Sequence, residues 1–174
     1  PLDPHSLAND KIAAIFEDDG GVLWVGTWGG GLSRFDRAQE QFARHYHNPD
    51  DPNSLSDNTV HSLYEDSTGA LWIGTGGGGL NKFDRVSETF THYREKDGLP
   101  NDVIYGILED DVASELGGPN LWLSTNRGLS KFNIQTETFQ NYDVKDGLQS
   151  NEFNAGAFHK STSGEMFFGG VHGV

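Results

Sequence analysis

The chain has 174 residues and a formal net charge of −14, with 12 Lys and Arg against 26 Asp and Glu. Because nucleic acids and anionic membranes bind basic surfaces, we expect neither as a partner. The chain has no cysteine, which excludes disulfides, thiol nucleophiles and thiolate zinc sites. Its 23 glycines and its 11% content of aromatic residues favour packed strands joined by tight turns.

Much of the chain consists of one repeated segment. Residues 3–46 align without a gap to residues 51–94, and 20 of the 44 aligned positions are identical, too many for coincidence. A third copy extends from Leu99 to Tyr142 and a fourth begins at Leu148. We therefore divide the chain into repeats at about 7–46, 55–94 and 99–142, and an incomplete one at 148–174. The third copy carries an insertion between Asp110 and Trp122.

Each repeat predicts four short strands, which we label a to d. In the second copy they are Thr59–Glu65, Ala70–Gly74, Leu80–Asp84 and Phe90–Arg94, separated by turn residues and a glycine run. Strand b is apolar on both sides, which indicates sheets stacked face to face. A repeat of this length with four strands is typical of a propeller blade. We predict an all-β fold: residues 1–174 form about three and a half four-stranded antiparallel blades of a larger β-propeller.

The second copy contains the pattern Glu65-Asp66-x-x-Gly69-x-Leu71-Trp72-Ile73-Gly74-Thr75, followed by Gly79-Leu80-Asn81-Lys82-Phe83-Asp84 and Phe90-x-x-Tyr93. This pattern resembles the two-component regulator propeller repeat. The run Asp146–Asn154, followed by Gly164–Gly170, is similar to that family's last blade, which precedes an immunoglobulin-like domain. The resemblance implies the periplasmic part of an inner-membrane receptor with a histidine kinase or another signalling output. It also implies further blades and the immunoglobulin-like domain as partners, and oligosaccharides as ligands.

Residues that recur at one position in each of the three full copies are interpreted as architecture. They include three Glu-Asp pairs after strand a and the tryptophans of strand b (Glu17-Asp18, Glu65-Asp66, Glu109-Asp110; Trp24, Trp72, Trp122). We expect the carboxylates to accept turn hydrogen bonds and the tryptophans to fill the space between blades. The histidines have no metal-ligand spacing, and no serine lies in a Gly-x-Ser-x-Gly elbow. We therefore expect no catalytic residues, no metal and no cofactor.

Residues that break the repeat are the candidate ligand-binding residues. In a propeller the b-to-c and d-to-a loops share the face that ligands usually approach. A tryptophan there can stack on a sugar ring, and an arginine can hold a carboxylate or sulfate with two hydrogen bonds. An alternative is that the tryptophan packs on a neighbouring blade. The candidates on this face are Trp28, Asn126, Arg127, Asn151, Glu152, Asn154 and His172. The insertion of the third copy is expected on the opposite face.

The favoured hypothesis is a non-catalytic, ligand-sensing propeller module of a bacterial two-component receptor. A fragment of a propeller lyase or glycosidase, and a scaffold for protein contacts, remain alternatives. Because the sequence begins without Met and stops in an apolar run, we expect a fragment whose end blades present apolar faces. Such a fragment is expected to self-associate when isolated, and a homodimer that closes a ring of about seven blades is one outcome.

Overall fold

The computed structural model describes residues 3–110 and 118–173, which form three four-stranded sheets and one two-stranded sheet. Blade 1 contains β1 (Ile12–Glu17), β2 (Leu23–Thr27), β3 (Leu32–Asp36) and β4 (Gln41–His45). Blade 2 contains β5 (Val60–Glu65), β6 (Leu71–Thr75), β7 (Leu80–Asp84) and β8 (Thr89–Tyr93). Blade 3 contains β9 (Ile104–Asp110), β10 (Asn120–Thr125), β11 (Gly128–Asn133) and β12 (Thr138–Tyr142), and blade 4 contains β13 (Phe153–Lys160) and β14 (Met166–Gly170). Short 3₁₀ turns at Glu95–Asp97 and Val144–Asp146 lie in the connections to blades 3 and 4.

Every sheet is antiparallel, and the strands lie side by side in chain order. The predicted all-β blades are thereby confirmed, and the four strands proposed for the second repeat agree with β5 to β8 to within a residue or so at each end. The first strands of successive blades contact one another, β1 with β5, β5 with β9 and β9 with β13. These first strands therefore lie at the centre of the array, which is the arrangement of a partial propeller.

The repeated tryptophans lie between blades, as predicted. Trp24 and Trp72 are 1% and 0% exposed. The Trp24 ring meets Phe83 of blade 2 edge to face at 5.4 Å between centroids, and Trp72 meets Phe132 of blade 3 in the same way at 5.5 Å. Such aromatic contacts combine a large buried area with a preferred geometry, so each tryptophan joins its own blade to the next.

A glycine in strand b allows neighbouring blades to approach closely. A methyl group added at Gly74 would lie 2.8 Å from Cγ2 of Ile104 in blade 3, and one added at Gly26 would lie 2.5 Å from Cγ1 of Val60 in blade 2. The role of these two glycines is steric, because each leaves room for a β-branched side chain of the next blade.

Blade 1 presents an open apolar face. Ile15 is 65% exposed, whereas Leu63, its counterpart in blade 2, is 7% exposed because blade 1 covers it. Phe35 and Phe42 are likewise half-buried, in contrast to their buried blade 2 counterparts. At the other end, Trp122 is half-buried, since only two strands of blade 4 face it.

Part of the insertion in the third repeat, residues 111–117, lies outside the described residues. The predicted position of that segment on the opposite face therefore stays a prediction. Within the described residues, no helix is long and apolar enough to cross a membrane.

Candidate functional site

The b-to-c and d-to-a loops lie on one face of the array, as the sequence predicted. The amide of Gly31, in the first b-to-c loop, donates to the carbonyl of Asn58, which precedes blade 2, at 2.7 Å. Gly79 donates in the same way to Asp102, and Gly128 donates to Asn151. Each b-to-c loop is thus fastened to the connection that enters the next blade, and we call their shared surface the loop face.

The loop face carries a cleft of about 540 Å³, formed by the connection into blade 3, blade 3 itself and the connection to blade 4. Arg127 and Asn151 both line this cleft, so the structure brings these two candidates together. The cleft walls also include Glu95 and the segment from Asn141 to Asp146. Lys145 contributes a second cation and two aspartates contribute negative charge, so the lining is mixed in charge.

Arg127 and Asn126 are exposed at the tip of the b-to-c loop of blade 3. This loop is one residue shorter than its counterpart in blade 2. The amide of Arg127 donates to the hydroxyl of Thr125 at 2.9 Å, which holds the backbone of the loop while the side chain stays at the surface. A guanidinium held at the rim of a cleft can form two parallel hydrogen bonds to a planar anion.

Asn151 also has a structural role. Its side-chain oxygen accepts the amide of Val144 at 3.0 Å. The equivalent Asn58 accepts the amide of His47 and Asp102 accepts that of Glu95, both at 2.8 Å. These contacts recur in successive blades, so the amide oxygen of Asn151 belongs to the frame.

Two other candidates, Glu152 and Asn154, follow Asn151 in the chain, and His172 lies in a loop beside them. Glu152 is exposed and its carbonyl accepts the amide of Val171 at 3.2 Å, which places it beside the loop that carries the exposed His172. Asn154 is exposed within β13. The structure thus groups these residues on the loop face near blade 4.

Trp28 lies apart from the cleft, in the b-to-c loop of blade 1, and is 48% exposed. Its ring contacts His61 of blade 2, with centroids 4.7 Å apart and planes at 72°. The indole thus packs on the neighbouring blade, as the alternative interpretation expected, while about half of the residue stays exposed.

The recurring Glu-Asp pairs form turn hydrogen bonds, as predicted. Asp66 accepts the indole N–H of Trp72 at 2.7 Å and the amides of Thr68 and Ala70 at 2.9 and 3.0 Å. Asp18 accepts the indole N–H of Trp24 in the same way at 2.9 Å. Burial by itself would raise the pKa of Asp18, but hydrogen bonds from Trp24, Arg85 and the Val22 amide hold it below its usual value.

Contacts between blades were not visible in the sequence. Glu65 of blade 2 accepts the amide of Asp19 in blade 1 at 2.7 Å, and Glu109 of blade 3 accepts the amide of Ser67 in blade 2 at 2.8 Å. Arg85, which lies in the c-to-d turn of blade 2, bridges Asp18 of blade 1 at 2.5 Å and Glu65 at 2.9 Å. The repeat shows where these residues recur, but not that their partners belong to the preceding blade.

Two further residues near the loop face, His61 and Tyr105, also escaped the sequence analysis. Both lie in first strands, and their rings contact each other with centroids 5.4 Å apart. The position they share is alanine at residue 13 in blade 1, so its variation between copies was the available signal. No cluster of three or more potential metal ligands occurs among the described residues.

Comparison with known proteins agrees with this architecture. Residues 6–29 and 54–77 match the family model described as two component regulator propeller. The extracellular domain of the hybrid two-component system BT3049 from B. thetaiotaomicron is 30% identical, with a TM-score of 0.82 over 97% of the chain. That of BT4673 from the same organism is 24% identical, with a TM-score of 0.78 over 94% of the chain, and supports the fold.

The chain spans 22% of the length of each of these two solved structures. No curated protein matches the chain. The matched segments cover the start of the first two repeats, from the residues before β1 and β5 to the b-to-c loops. The strands of the third and fourth blades follow the same order. The segments 6–29 and 54–77 thus match two-component regulator propeller repeats, and the whole chain shares its fold with the extracellular domains of hybrid two-component systems.

Proposed function

We propose that the chain is part of the periplasmic, ligand-sensing region of a bacterial two-component receptor, and that it acts by binding and not by catalysis. The observation that carries this proposal is the 30% identity to the extracellular domain of a hybrid two-component system, which extends over 97% of the chain. On this proposal a histidine kinase or another output domain lies elsewhere in the receptor.

Further blades are the proposed partners of the exposed face of blade 1. Three polar side chains there occupy positions whose counterparts in blades 2 and 3 reach back to the preceding blade: Glu17, Arg37 and Glu40. The counterpart of Glu17 accepts a turn amide, that of Arg37 bridges an aspartate, and Glu137, a counterpart of Glu40, accepts a tyrosine hydroxyl. The apolar area and these polar groups together fit another blade of the same repeat. An immunoglobulin-like domain would follow the last blade.

The proposed ligand is an oligosaccharide that contacts the loop face. The cleft at Arg127 and Asn151 supports this proposal, because it is large enough for a sugar unit and combines cationic, amide and carboxylate groups. Asn126, Glu152, Asn154 and His172 extend the same exposed surface. Arginine favours an acidic or sulfated sugar at this position.

Titration calorimetry of the complete periplasmic region against defined hexasaccharides tests the proposal. The panel contains cellohexaose, xylohexaose, mannohexaose, hexagalacturonate and a chondroitin sulfate hexasaccharide. We expect saturable binding without product release, and Arg127→Ala should weaken binding of an acidic ligand about tenfold or more. The control is Val86→Ala, because Val86 is 97% exposed in a c-to-d turn away from the loop face, and this change should leave the affinity unchanged.

The outcome also separates the alternative functions. Binding of none of the oligosaccharides would favour a scaffold for protein contacts, and sustained release of shortened sugars would indicate a lyase or glycosidase. Unchanged affinity in Arg127→Ala would exclude the cleft as the acidic subsite while leaving sensing by the module intact.

A further inference from the structure

The first strand of every blade has an irregularity at the same place, close to the loop face. The register between first and second strands shifts between Ile12 and Ala14, between Val60 and Ser62, and between the partners of Ser124 and Thr125. The extra residues at these bulges are Ala13, His61 and Tyr105. In blade 4 the shift falls between Phe153 and Phe158 and includes Asn154. A bulge changes the direction of a side chain, and bulges are frequent beside binding sites.

The bulge residues of blades 2 and 3 form a continuous row with Trp28. The Trp28 ring contacts His61 at 4.7 Å between centroids, and the His61 ring contacts Tyr105 at 5.4 Å with planes at 45°. We call Trp28, His61 and Tyr105 the aromatic row. Its members come from three consecutive blades, and their strands lie at the centre of the array, so the row crosses the central end of the loop face.

The blade frame does not require the aromatic row. The backbone N–H of Trp28 donates to the carbonyl of Lys11 at 2.9 Å, and Gly76, its counterpart in blade 2, makes the equivalent bond to Thr59 with no side chain at all. The bulge position is alanine in blade 1. The backbone of the loop and of the bulge therefore forms without large rings, so the rings of the aromatic row provide an additional surface.

His61 carries a polar atom without a partner. The residue is 6% exposed, and its Nδ1 atom is buried and has no hydrogen-bond partner among the described residues. Burial lowers the pKa of His61, although Asp57 acts in the opposite direction, so the ring is neutral near pH 7. A buried nitrogen without a partner is costly, and a hydroxyl group that reached it would remove that cost.

We propose that the aromatic row binds neutral sugar rings, with Trp28 and Tyr105 stacking on the pyranose faces and His61 forming a hydrogen bond to a hydroxyl group. This inference rests on the proposed function, because it takes an oligosaccharide as the ligand. The row itself contains no cation, which favours a neutral sugar over an acidic one. The half-exposed indole offers the apolar surface that stacks on a sugar ring. The row and the cleft at Arg127 would then hold different units of one chain.

The test uses the complete periplasmic region and the three neutral probes cellohexaose, xylohexaose and mannohexaose, with affinity measured by calorimetry. We expect at least one to bind, and Trp28→Ala to weaken it about tenfold or more. His61→Phe keeps a ring in the row but removes Nδ1, and should weaken binding about threefold to tenfold. Tyr46→Ala is the matched control, because Tyr46 is also 48% exposed but lies outside the row. Thermal unfolding of each variant separates loss of binding from loss of the fold.

The outcomes distinguish this inference from the proposed function. A neutral probe that binds all variants equally would overturn the inference and leave the sensing function standing. If only acidic probes bound, and Arg127→Ala weakened their binding, the inference would also be overturned while the sensing function stood. If none of the neutral or acidic hexasaccharides bound, the oligosaccharide-sensing function and the aromatic row would both be wrong.

Discussion

The hydrogen bond between Asp66 and Trp72 offers a test of the blade frame, because blade 4 contains a natural replacement for the pair. Ser161 stands at the position of Asp66, and Phe167, which has no N–H group, stands at that of Trp72. The hydroxyl of Ser161 accepts the amide of Glu165 at 3.0 Å, the bond that Asp66 accepts from Ala70. Serine therefore keeps one turn bond, and phenylalanine removes the need for the other acceptor.

We predict strong coupling between Asp66→Ser and Trp72→Phe. Asp66→Ser alone leaves the fully buried indole N–H without an acceptor, which costs about 1–3 kcal/mol, and loses a turn bond worth about 1 kcal/mol. Trp72→Phe alone loses packing and leaves a buried carboxylate oxygen without its donor, for roughly 2–4 kcal/mol. The double variant has neither unpaired group, so it should be more stable than the sum of the single changes predicts by about 1–2 kcal/mol.

Equilibrium unfolding in guanidinium chloride of the protein and the three variants measures this coupling, provided that the denaturant dependence stays the same in all four. Independent sites add to within about 0.5 kcal/mol. A coupling below that limit would refute the argument that the tryptophan and the aspartate are required as a pair.

Three further predictions concern packing, pH and backbone strain. Gly74→Ala should destabilise by about 1–3 kcal/mol through overpacking against Ser62 of its own blade and Ile104 of the next. Gly77→Ala, whose added methyl would lie 3.7 Å from its nearest neighbour, should change stability little in the same unfolding assay. Burial lowers the pKa of His45 in the folded protein below the value of about 6.5 that it has when unfolded. The unfolded state therefore binds the proton more tightly, so the free energy of unfolding should be highest above about pH 6.5 and should decline as the pH falls towards the folded pKa. Melting temperatures between pH 4 and 8 should show a weaker decline for His45→Phe. Glu40 and Glu137 both have left-handed backbones (φ of 53° and 54°), so Glu40→Gly should stabilise by up to about 1 kcal/mol. Glu137→Gly should gain less, since it also loses a bond to a tyrosine hydroxyl, and equal changes in melting temperature would contradict that bond's contribution.

The internal repeat made the fold predictable from sequence. A tryptophan and a glycine that recur in strand b indicate positions that pack in the same way in each copy, and Trp72 and Gly74 do so. Strand limits followed from turn residues with clear local preferences. A comparison of the copies emphasises the features that they share, and these features define the blades.

The same reasoning could not find contacts that depend on how blades are placed against one another. Arg85 follows Asp84 in a turn, and nothing in that local sequence shows that its guanidinium reaches Asp18, which lies 67 residues away in the chain. The sequence also does not show the register shift that places His61 at a bulge. An extra residue can be recognised only when the pairing of strand a with strand b is known. Arg127 was identified because it breaks the repeat, and Asn151 because it lies in the last d-to-a loop. The cleft that they share appears only in three dimensions.

The glutamate that accepts a turn amide of the preceding blade gives each joint two halves, a carboxylate on one side and a turn on the other. Blades 1 and 2 carry both a glutamate at this position and a turn that donates to the next blade, so repetition of such a blade supplies a compatible joint at each new border. At the last joint described, Lys160 replaces the glutamate and donates to the carbonyl of Glu109 at 2.8 Å. A blade with lysine there is no longer interchangeable with its neighbours, which fixes its place in the order of blades.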